Sequence, residues 1–243
     1  MAEEDVVLFT CDVRHLPNGV LLPFSCHSRQ LKVIKIQLSL TEPFKKRCWQ
    51  KVVQQKILNQ GYCRSILGLE GNEQLVNLSK TVASGDSSNV EANAAKFYFS
   101  KLFKNFKRGS EDNINFSLNY GYSILRGAIA RTLSAYGFIP SIGIHHKSEL
   151  NNYNLADDLI EPFRPIVDMW VKENIFKDTE LTPKHKLALI SLLSYECVIG
   201  NKIISVRSAI ENVISSFSSS CANSDYAILK LPEIMPLAVH ENE

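Results

Sequence analysis

Residues 114–136, INFSLNYGYSILRGAIARTLSAY, decide the fold class of this chain. Apolar side chains recur at helical spacing through the whole stretch, and Gly137 and Pro140 follow it as helix-ending residues. This pattern predicts one long, strongly apolar helix. Because similar patterns occupy most of the chain on both sides of it, the sequence predicts a mostly α-helical protein.

Helical periodicity outside this stretch predicts further helices, with their ends marked by capping residues. Thr41 is a suitable N-cap and Gly61 a suitable stop for the first of them. Pro162 and Pro165 should bend another. The serine-rich residues 216–220 are predicted to be a loop. The predicted helices cover residues 42–60, 72–83, 89–106, 154–174, 183–198 and 204–217.

The first 40 residues have a different character. Residues 6–11 are apolar and β-branched, and a second apolar run at residues 19–24 follows the turn-like Pro17-Asn18-Gly19. These runs predict one or two short strands. Two strands alone are only marginally stable, and the chain supplies no obvious further partners for them.

Composition is that of an ordinary soluble domain, with 45% hydrophobic and 21% charged residues in 243. The acidic start does not resemble an export signal, and apolar runs such as residues 187–193 are much shorter than the ~20 residues of a membrane span. The six cysteines form no CxxC pair, which argues against a zinc ribbon and is typical of a reducing cytoplasm. We therefore expect a cytoplasmic protein without a membrane segment.

Histidines and carboxylates in the middle of the chain suggest a metal site. His145 and His146 follow the long helix, and Asp158 and Glu161, three residues apart, would share one face of the next helix. One imidazole with carboxylate oxygens suits Mn²⁺ or Mg²⁺ better than zinc. The alternative is a loop with two histidines beside a solvated acidic face.

A third carboxylate is available at Glu91, which lies at the start of a predicted helix among small residues. The small neighbours would let another helix approach closely. Glutamate is also common in the first helical turn for purely structural reasons, because it interacts favourably with the helix dipole. From spacing alone, both readings of Glu91 remain open.

Three motifs together resemble the adaptation integrases of CRISPR systems. They are NYGYSIL at residues 119–125, GIHH at residues 143–146 and DLIEPFRP at residues 158–165. The form of residues 143–158 is most similar to the type II branch. Residues 11–12 and 15–19 resemble the end of that family's N-terminal β domain, and residues 27–30 its link to the helical domain. The resemblance covers essentially the whole chain.

The resemblance implies a metal-dependent DNA endonuclease and integrase, which joins the 3′-hydroxyl of a new spacer to the CRISPR repeat. It assigns Glu91, His146 and Glu161 as the ligands of Mg²⁺ or Mn²⁺ and as the catalytic residues. Asp158 becomes an auxiliary acid, and His145 a neighbour of the ligand. The implied partners are double-stranded DNA, a second copy in a homodimer, and a small partner Cas protein that bridges two dimers. The type II branch adds the effector nuclease and an accessory ring protein.

Since the family normally begins with a β-rich domain, the resemblance also suggests an N-terminally shortened member. Residues 1–40 would be a remnant of the β domain with its linker, and residues 41–243 the helical catalytic domain. The alternative to an active enzyme is a shortened, non-catalytic remnant that binds DNA or partners.

Basic residues beside this site are candidate contacts to DNA phosphates. One group, predicted to continue the helix that begins near Glu91, is otherwise a solvated helix face. Arg164, close to Glu161, would pair either with a phosphate or with a structural carboxylate. The candidates are Lys101, Lys104, Lys107, Arg108 and Arg164.

Overall fold

A computed structural model describes residues 8–13, 17–21, 29–176 and 180–241. Within these residues the chain forms nine α-helices and five β-strands. The helices are α1 (Gln30–Ser39), α2 (Glu42–Ile66), α3 (Asn72–Thr81), α4 (Val90–Leu102), α5 (Asn113–Ala135), α6 (Asn154–Leu159), α7 (Arg164–Asn174), α8 (Pro183–Ser191) and α9 (Val206–Asn223). The strands are β1 (Leu8–Cys11), β2 (Pro17–Leu21), β3 (Tyr195–Ile199), β4 (Lys202–Ser205) and β5 (Glu233–Val239). The mostly α-helical prediction is confirmed.

The N-terminal strands pair only with each other among the described residues. β1 and β2 run antiparallel, with Leu8 opposite Leu21. The predicted strand residues 6–7 and 22–24, and the motif residues 15–16 and 27–28, lie outside the described part of the chain.

Helix α1 falls in the segment that was expected to be a linker. Its residues QLKVIKIQLS place apolar side chains partly at alternate positions, which hides the helical period. The buried side chain of Gln37 donates from Nε2 to the carbonyls of Ile139 (3.0 Å) and Ile142 (2.9 Å), and its Oε1 accepts from the Ile139 N–H at 2.9 Å. Through Gln37, α1 therefore anchors the loop that leads to His146.

Helix α2 begins as predicted, with the Thr41 side chain accepting from the Phe44 N–H. It does not stop at Gly61, which was the predicted end. A Cβ at Gly61 would lie 2.8 Å from Oδ1 of Asn72, so the glycine permits α3 to approach closely. Gly61 therefore allows close packing between helices and does not act as a C-cap.

The two prolines were predicted to bend the helix 154–174, and the structure shows that they interrupt it. It becomes α6, a 3-10 turn at Glu161–Phe163, and α7. By contrast, α4 ends at Leu102, so the predicted continuation to residue 106 is wrong. Lys104, Lys107 and Arg108 therefore lie in the loop before α5 and not on a helix face.

The C-terminal region differs most from the prediction. The helix expected over residues 183–198 ends at Ser191, and residues 195–199 form β3, the centre of a sheet with the order β4-β3-β5. Gly200 and Asn201 both have positive φ, as a two-residue hairpin turn requires. The predicted serine loop is also wrong. It belongs to α9, where Ser216 and Ser220 are buried and hydrogen-bonded to backbone groups.

Helices α2 and α5 form the centre of the helical region. α5 packs against α6, α7, α8 and α9, and α2 packs against α3, α4, α7 and the turn at Glu161–Phe163. Among the described residues, no helix combines the length and the hydropathy that a membrane span needs. The candidate site lies where α2, α4 and this turn meet.

Candidate metal centre

Glu91 enters the site from the first turn of α4. The carboxylate of Asp86 caps this helix: Oδ1 accepts from the Val90 N–H (2.8 Å) and Oδ2 from the Glu91 N–H (3.0 Å). The half-buried Glu91 side chain then reaches α2, where its Oε1 lies 2.5 Å from Nζ of Lys56. Asp86 thus fixes the helix end that carries Glu91.

Glu161 enters from the opposite side, at the start of the 3-10 turn. Its carboxylate is buried, with Oε1 accepting from Nε of Arg164 at 2.9 Å and Oε2 lying 2.5 Å from Nζ of Lys56. Asn59, one turn beyond Lys56 on α2, donates to the carbonyl of Pro162 at 2.7 Å. This buried hydrogen bond holds the turn against α2.

The two carboxylates therefore meet at one positive charge. Burial opposes ionisation of Glu161, but the charges of Arg164 and Lys56 outweigh it and lower its pKa to about 2. Burial also disfavours the Lys56 ammonium, yet Glu161 and Glu91 outweigh that effect and raise the pKa of Lys56. Glu161 and Lys56 are thus both charged at neutral pH.

His146 is oriented by Asp158, a fully buried carboxylate on α6. Asp158 accepts from the backbone N–H groups of Ile144 (2.7 Å), His145 (3.0 Å) and His146 (3.1 Å), and lies 2.7 Å from His146 Nδ1. This last hydrogen bond raises the pKa of His146, although burial opposes the shift. With Nδ1–H donating to Asp158, Nε2 is the nitrogen that remains for a ligand.

Gly143 is required where this loop closes on Asp158. A Cβ at this position would lie 2.4 Å from the carbonyl oxygen of His146 and 2.7 Å from Oδ2 of Asp158. Only glycine permits so close an approach, which explains the glycine three residues before the histidine.

His145 packs rather than reaching the carboxylates. Its ring stacks on Trp49 of α2, with centroids 4.1 Å apart and planes at 4°. Trp49 also meets His146 edge-on, with centroids 5.7 Å apart. Burial lowers the pKa of His145. One tryptophan therefore supports both histidine rings.

These donors suit a divalent cation only in part. Oε2 of Glu161 is buried and already faces a positive charge, the ammonium of Lys56. Its 2.5 Å contact with Lys56 is an ion pair. Within the described residues, however, no three His, Cys, Asp or Glu side chains are close enough together to hold a metal. Of the three predicted ligands, Glu91 and Glu161 come together around Lys56. His146 is bonded to Asp158 instead, and the charge of Glu161 reaches it.

Lys56 was not predicted as part of the site. The signal was present in the sequence, because Lys56 lies at helical spacing on a face that is otherwise buried, with Val52, Val53 and Ile57. A lysine at such a position needs buried partners of opposite charge.

A basic cavity adjoins Glu161 on the side of Arg164. The guanidinium groups of Arg108 and Arg164 lie 5.5 Å and 4.5 Å from the ring centre of Tyr122. Arg108 is held by Oδ1 of Asn115 (2.8 Å) and of Asn119 (2.6 Å), and so keeps its charge without a carboxylate partner in these contacts. The lining residues are Arg108, Asn119, Tyr122, Ser123, Arg126, Asp157, Ile160 and Arg164.

Of the five predicted DNA contacts, Arg108 and Arg164 thus lie together at this cavity. Lys101, Lys104 and Lys107 are exposed elsewhere and do not line it. Arg164 was predicted to pair with a phosphate or with a structural carboxylate. It contacts the carboxylate of Glu161, a predicted metal ligand, and it faces the cavity as well. Arg126 was not predicted. It lines the same cavity and lies 3.7 Å from Asp157.

Comparison with known proteins agrees with this architecture. The family "CRISPR associated protein Cas1" matches residues 1–186. A CRISPR-associated endonuclease Cas1 of Neisseria meningitidis serogroup C (strain 8013) is 44% identical over 248 residues, which cover 100% of this chain and 82% of the relative. The chain belongs to the Cas1 family.

Two solved structures share the fold. A casposase bound to an integration product superimposes with a TM-score of 0.76 at 20% identity, over 93% of this chain and 75% of the casposase. A chain of a Cas6-RT-Cas1–Cas2 complex gives a TM-score of 0.71 at 19% identity, over 93% of this chain and 29% of that longer chain.

Proposed function

We propose that this protein is a metal-dependent DNA endonuclease and integrase, which joins the 3′-hydroxyl of a new spacer to the CRISPR repeat. The observation that carries the proposal is that Glu91 and Glu161, from separate elements, both contact the ammonium of Lys56, while Asp158 fixes His146 within range of the Glu161 charge. Family membership supports the reaction class.

In this proposal Glu91, Glu161 and Nε2 of His146 hold Mg²⁺ or Mn²⁺. When bound, the cation would neutralise charge on the phosphate and orient the attacking and leaving oxygens. Asp158 fixes Nδ1 of His146, which leaves Nε2 for the cation, and Asp86 keeps the start of α4 in place. With water as the nucleophile, the same groups would give hydrolysis.

The basic cavity is the proposed seat of a DNA phosphate next to the reacting one. Arg164 contacts Oε1 of Glu161, so a phosphate held by Arg164 and Arg108 would lie directly beside the cation position. Guanidinium groups suit this task, because they bind phosphate oxygens through paired N–H donors. Lys101, Lys104 and Lys107 are exposed and available to a longer DNA track.

The proposed partners are double-stranded DNA, a second copy of this chain and a small Cas protein that bridges two dimers. The type II effector nuclease and the accessory ring protein extend this set. Support comes from the similar fold of a chain that was solved in a Cas1–Cas2 complex.

The test is a product gel with a labelled DNA duplex, a repeat-containing target and Mn²⁺ or Mg²⁺. Joined strands longer than the substrate are expected, and only shortened strands would indicate a nuclease without integration. Glu91→Gln and Glu161→Gln should each reduce both products at least about 100-fold, since each removes a charged metal ligand. Glu73→Gln is the matched control, because Glu73 is an exposed first-turn glutamate on α3.

The competing function is a non-catalytic protein that binds DNA or partners. It predicts DNA binding without products at any Mn²⁺ concentration, and equal behaviour of Glu91→Gln and Glu73→Gln. Gel filtration of the same preparations, which reports dimer formation, ensures that folded protein is compared.

A further inference from the structure

Lys56 occupies the position that the proposed function gives to the metal. Its ammonium lies 2.5 Å from Oε1 of Glu91 and 2.5 Å from Oε2 of Glu161. The residue is buried, and its neighbours on this face of α2 are apolar. A lysine so placed cannot be explained as part of a solvated surface.

We propose that Lys56 is an internal counter-ion, which holds Glu91 and Glu161 together in the metal-free protein and must withdraw when a divalent cation binds. This inference rests on the proposed function, because it concerns loading of the same site. It identifies Lys56 as the group that competes with the metal for the two carboxylates.

Electrostatics require such a counter-ion. Two carboxylates this close together, one of them buried, would repel each other strongly if no positive charge lay between them. Among the described residues, Arg164 contacts Oε1 of Glu161, whereas Oε2 of Glu161 and the Glu91 carboxylate are held by Lys56. In the metal-free state, Lys56 therefore keeps α4 and the 3-10 turn in register with α2.

The same contacts oppose metal binding. A divalent cation bonded to both carboxylates would face the ammonium at short range, and the two like charges would repel. The long, flexible lysine side chain permits its head group to swing away, whereas a planar arginine in its place would be bulkier and more firmly paired. Metal affinity is thus reduced by the ion pairs that binding breaks.

Removal of the competing charge provides the test. Lys56→Met keeps the length and apolar character of the side chain but not the charge. It should bind Mn²⁺ about tenfold more tightly or better, since the carboxylates are no longer neutralised. Binding is measured in the full chain by the electron paramagnetic resonance signal of free Mn²⁺, which needs no activity.

Two further variants serve as controls. Lys56→Arg retains the charge and should not bind Mn²⁺ more tightly than the wild type. Lys51→Met removes a different, half-buried lysine of α2. The ammonium of Lys51 donates to the backbone carbonyls of Tyr226, Ala227 and Leu229. The Mn²⁺ affinity of Lys51→Met should therefore equal that of the wild type.

A second readout is thermal stability. Without metal, Lys56→Met should melt below the wild type, because two carboxylates lose their counter-ion. Saturating Mn²⁺ should then raise its melting temperature more than it raises that of the wild type. This measurement also shows that the variant is folded.

The outcomes separate the two proposals. If the wild type binds Mn²⁺, Glu91→Gln does not, and Lys56→Met binds no more tightly than the wild type, the role of Lys56 is overturned while the metal site stands. If neither the wild type nor Lys56→Met binds Mn²⁺, the metal site itself fails and the inference falls with it. Binding by Lys56→Met alone supports the inference in its strongest form.

Discussion

Nδ1 of His146 lies 2.7 Å from Oδ1 of Asp158, and the same carboxylate accepts the backbone N–H groups of three consecutive residues, 144–146. One buried side chain on α6 therefore determines both the path of the loop and the direction of the imidazole. In this arrangement the contact with Asp158 fixes Nδ1, so that Nε2 can bind a ligand.

Asp158→Asn should damage stability and activity together. An asparagine side chain has one acceptor oxygen, and its amide group would point N–H donors at backbone donors. We expect a loss of about 3 kcal/mol in the free energy of unfolding, the order of one or two charge-assisted hydrogen bonds. Activity should fall about 10- to 100-fold. Urea denaturation and initial cleavage rates measure the two effects, and unchanged rates in folded protein would contradict this role of Asp158.

Gly143→Ala tests the closeness of the loop to Asp158. The added methyl group would lie 2.4 Å from the His146 carbonyl oxygen, so the loop must shift. A loss of about 2 kcal/mol is expected, as for other overpacked sites. Ser141→Ala, two residues earlier in the same loop, should change stability by less than about 0.5 kcal/mol. Equal melting temperatures of the two variants would argue against the tight approach.

Asp168 should make stability depend on pH. Burial raises its pKa to about 6, although the hydrogen bond from the Tyr122 hydroxyl opposes the shift. Because the folded protein holds this proton more tightly than the unfolded chain, Asp168 contributes less stability as pH rises from about 4 to about 6, by about 3 kcal/mol in total.

Asp168→Asn, which has no such proton, supplies the comparison. The free energy of unfolding of the wild type minus that of the variant should fall between about pH 4 and pH 6 and be constant above about pH 7. Chemical denaturation at a series of pH values measures this difference. A difference that is flat over the whole range would show that Asp168 has an ordinary pKa.

Arg108→Gln should weaken DNA binding in a salt-dependent manner. If Arg108 contacts one phosphate, the slope of log K against log salt should become shallower by about 0.9. Arg207→Gln, an exposed arginine that does not line the basic cavity, should leave the slope unchanged. Fluorescence anisotropy at several salt concentrations gives both slopes. Equal slopes for the two variants would exclude Arg108 from the DNA contact.

The sequence predicts the helices best where periodicity and caps agree. Thr41 starts α2, Asn113–Ala135 closely matches the predicted long helix, and Pro162 and Pro165 divide α6 from α7. Prediction fails where tertiary contacts determine the secondary structure. Gly61 looks like a stop but serves close packing, and residues 195–198 form a strand because β4 and β5 pair with them.

The sequence predicts candidate site residues but not the contacts between them. The resemblance to the integrase family assigns Glu91, His146 and Glu161 as ligands, an assignment that local spacing alone leaves open and that remains a prediction. No local pattern reveals that Lys56 joins Glu91 and Glu161, because these three residues come from three separate elements: α2, α4 and the turn at Glu161–Phe163. Only the packing of these elements brings the charges together.

Anomalous diffraction from crystals soaked in Mn²⁺ tests the central claim most directly. We expect one strong Mn²⁺ peak within bonding distance of Glu91, Glu161 and Nε2 of His146, with the Lys56 ammonium moved away from both carboxylates. A peak elsewhere, or carboxylates still bridged by Lys56 at saturating Mn²⁺, would contradict the assignment of this centre as the metal site.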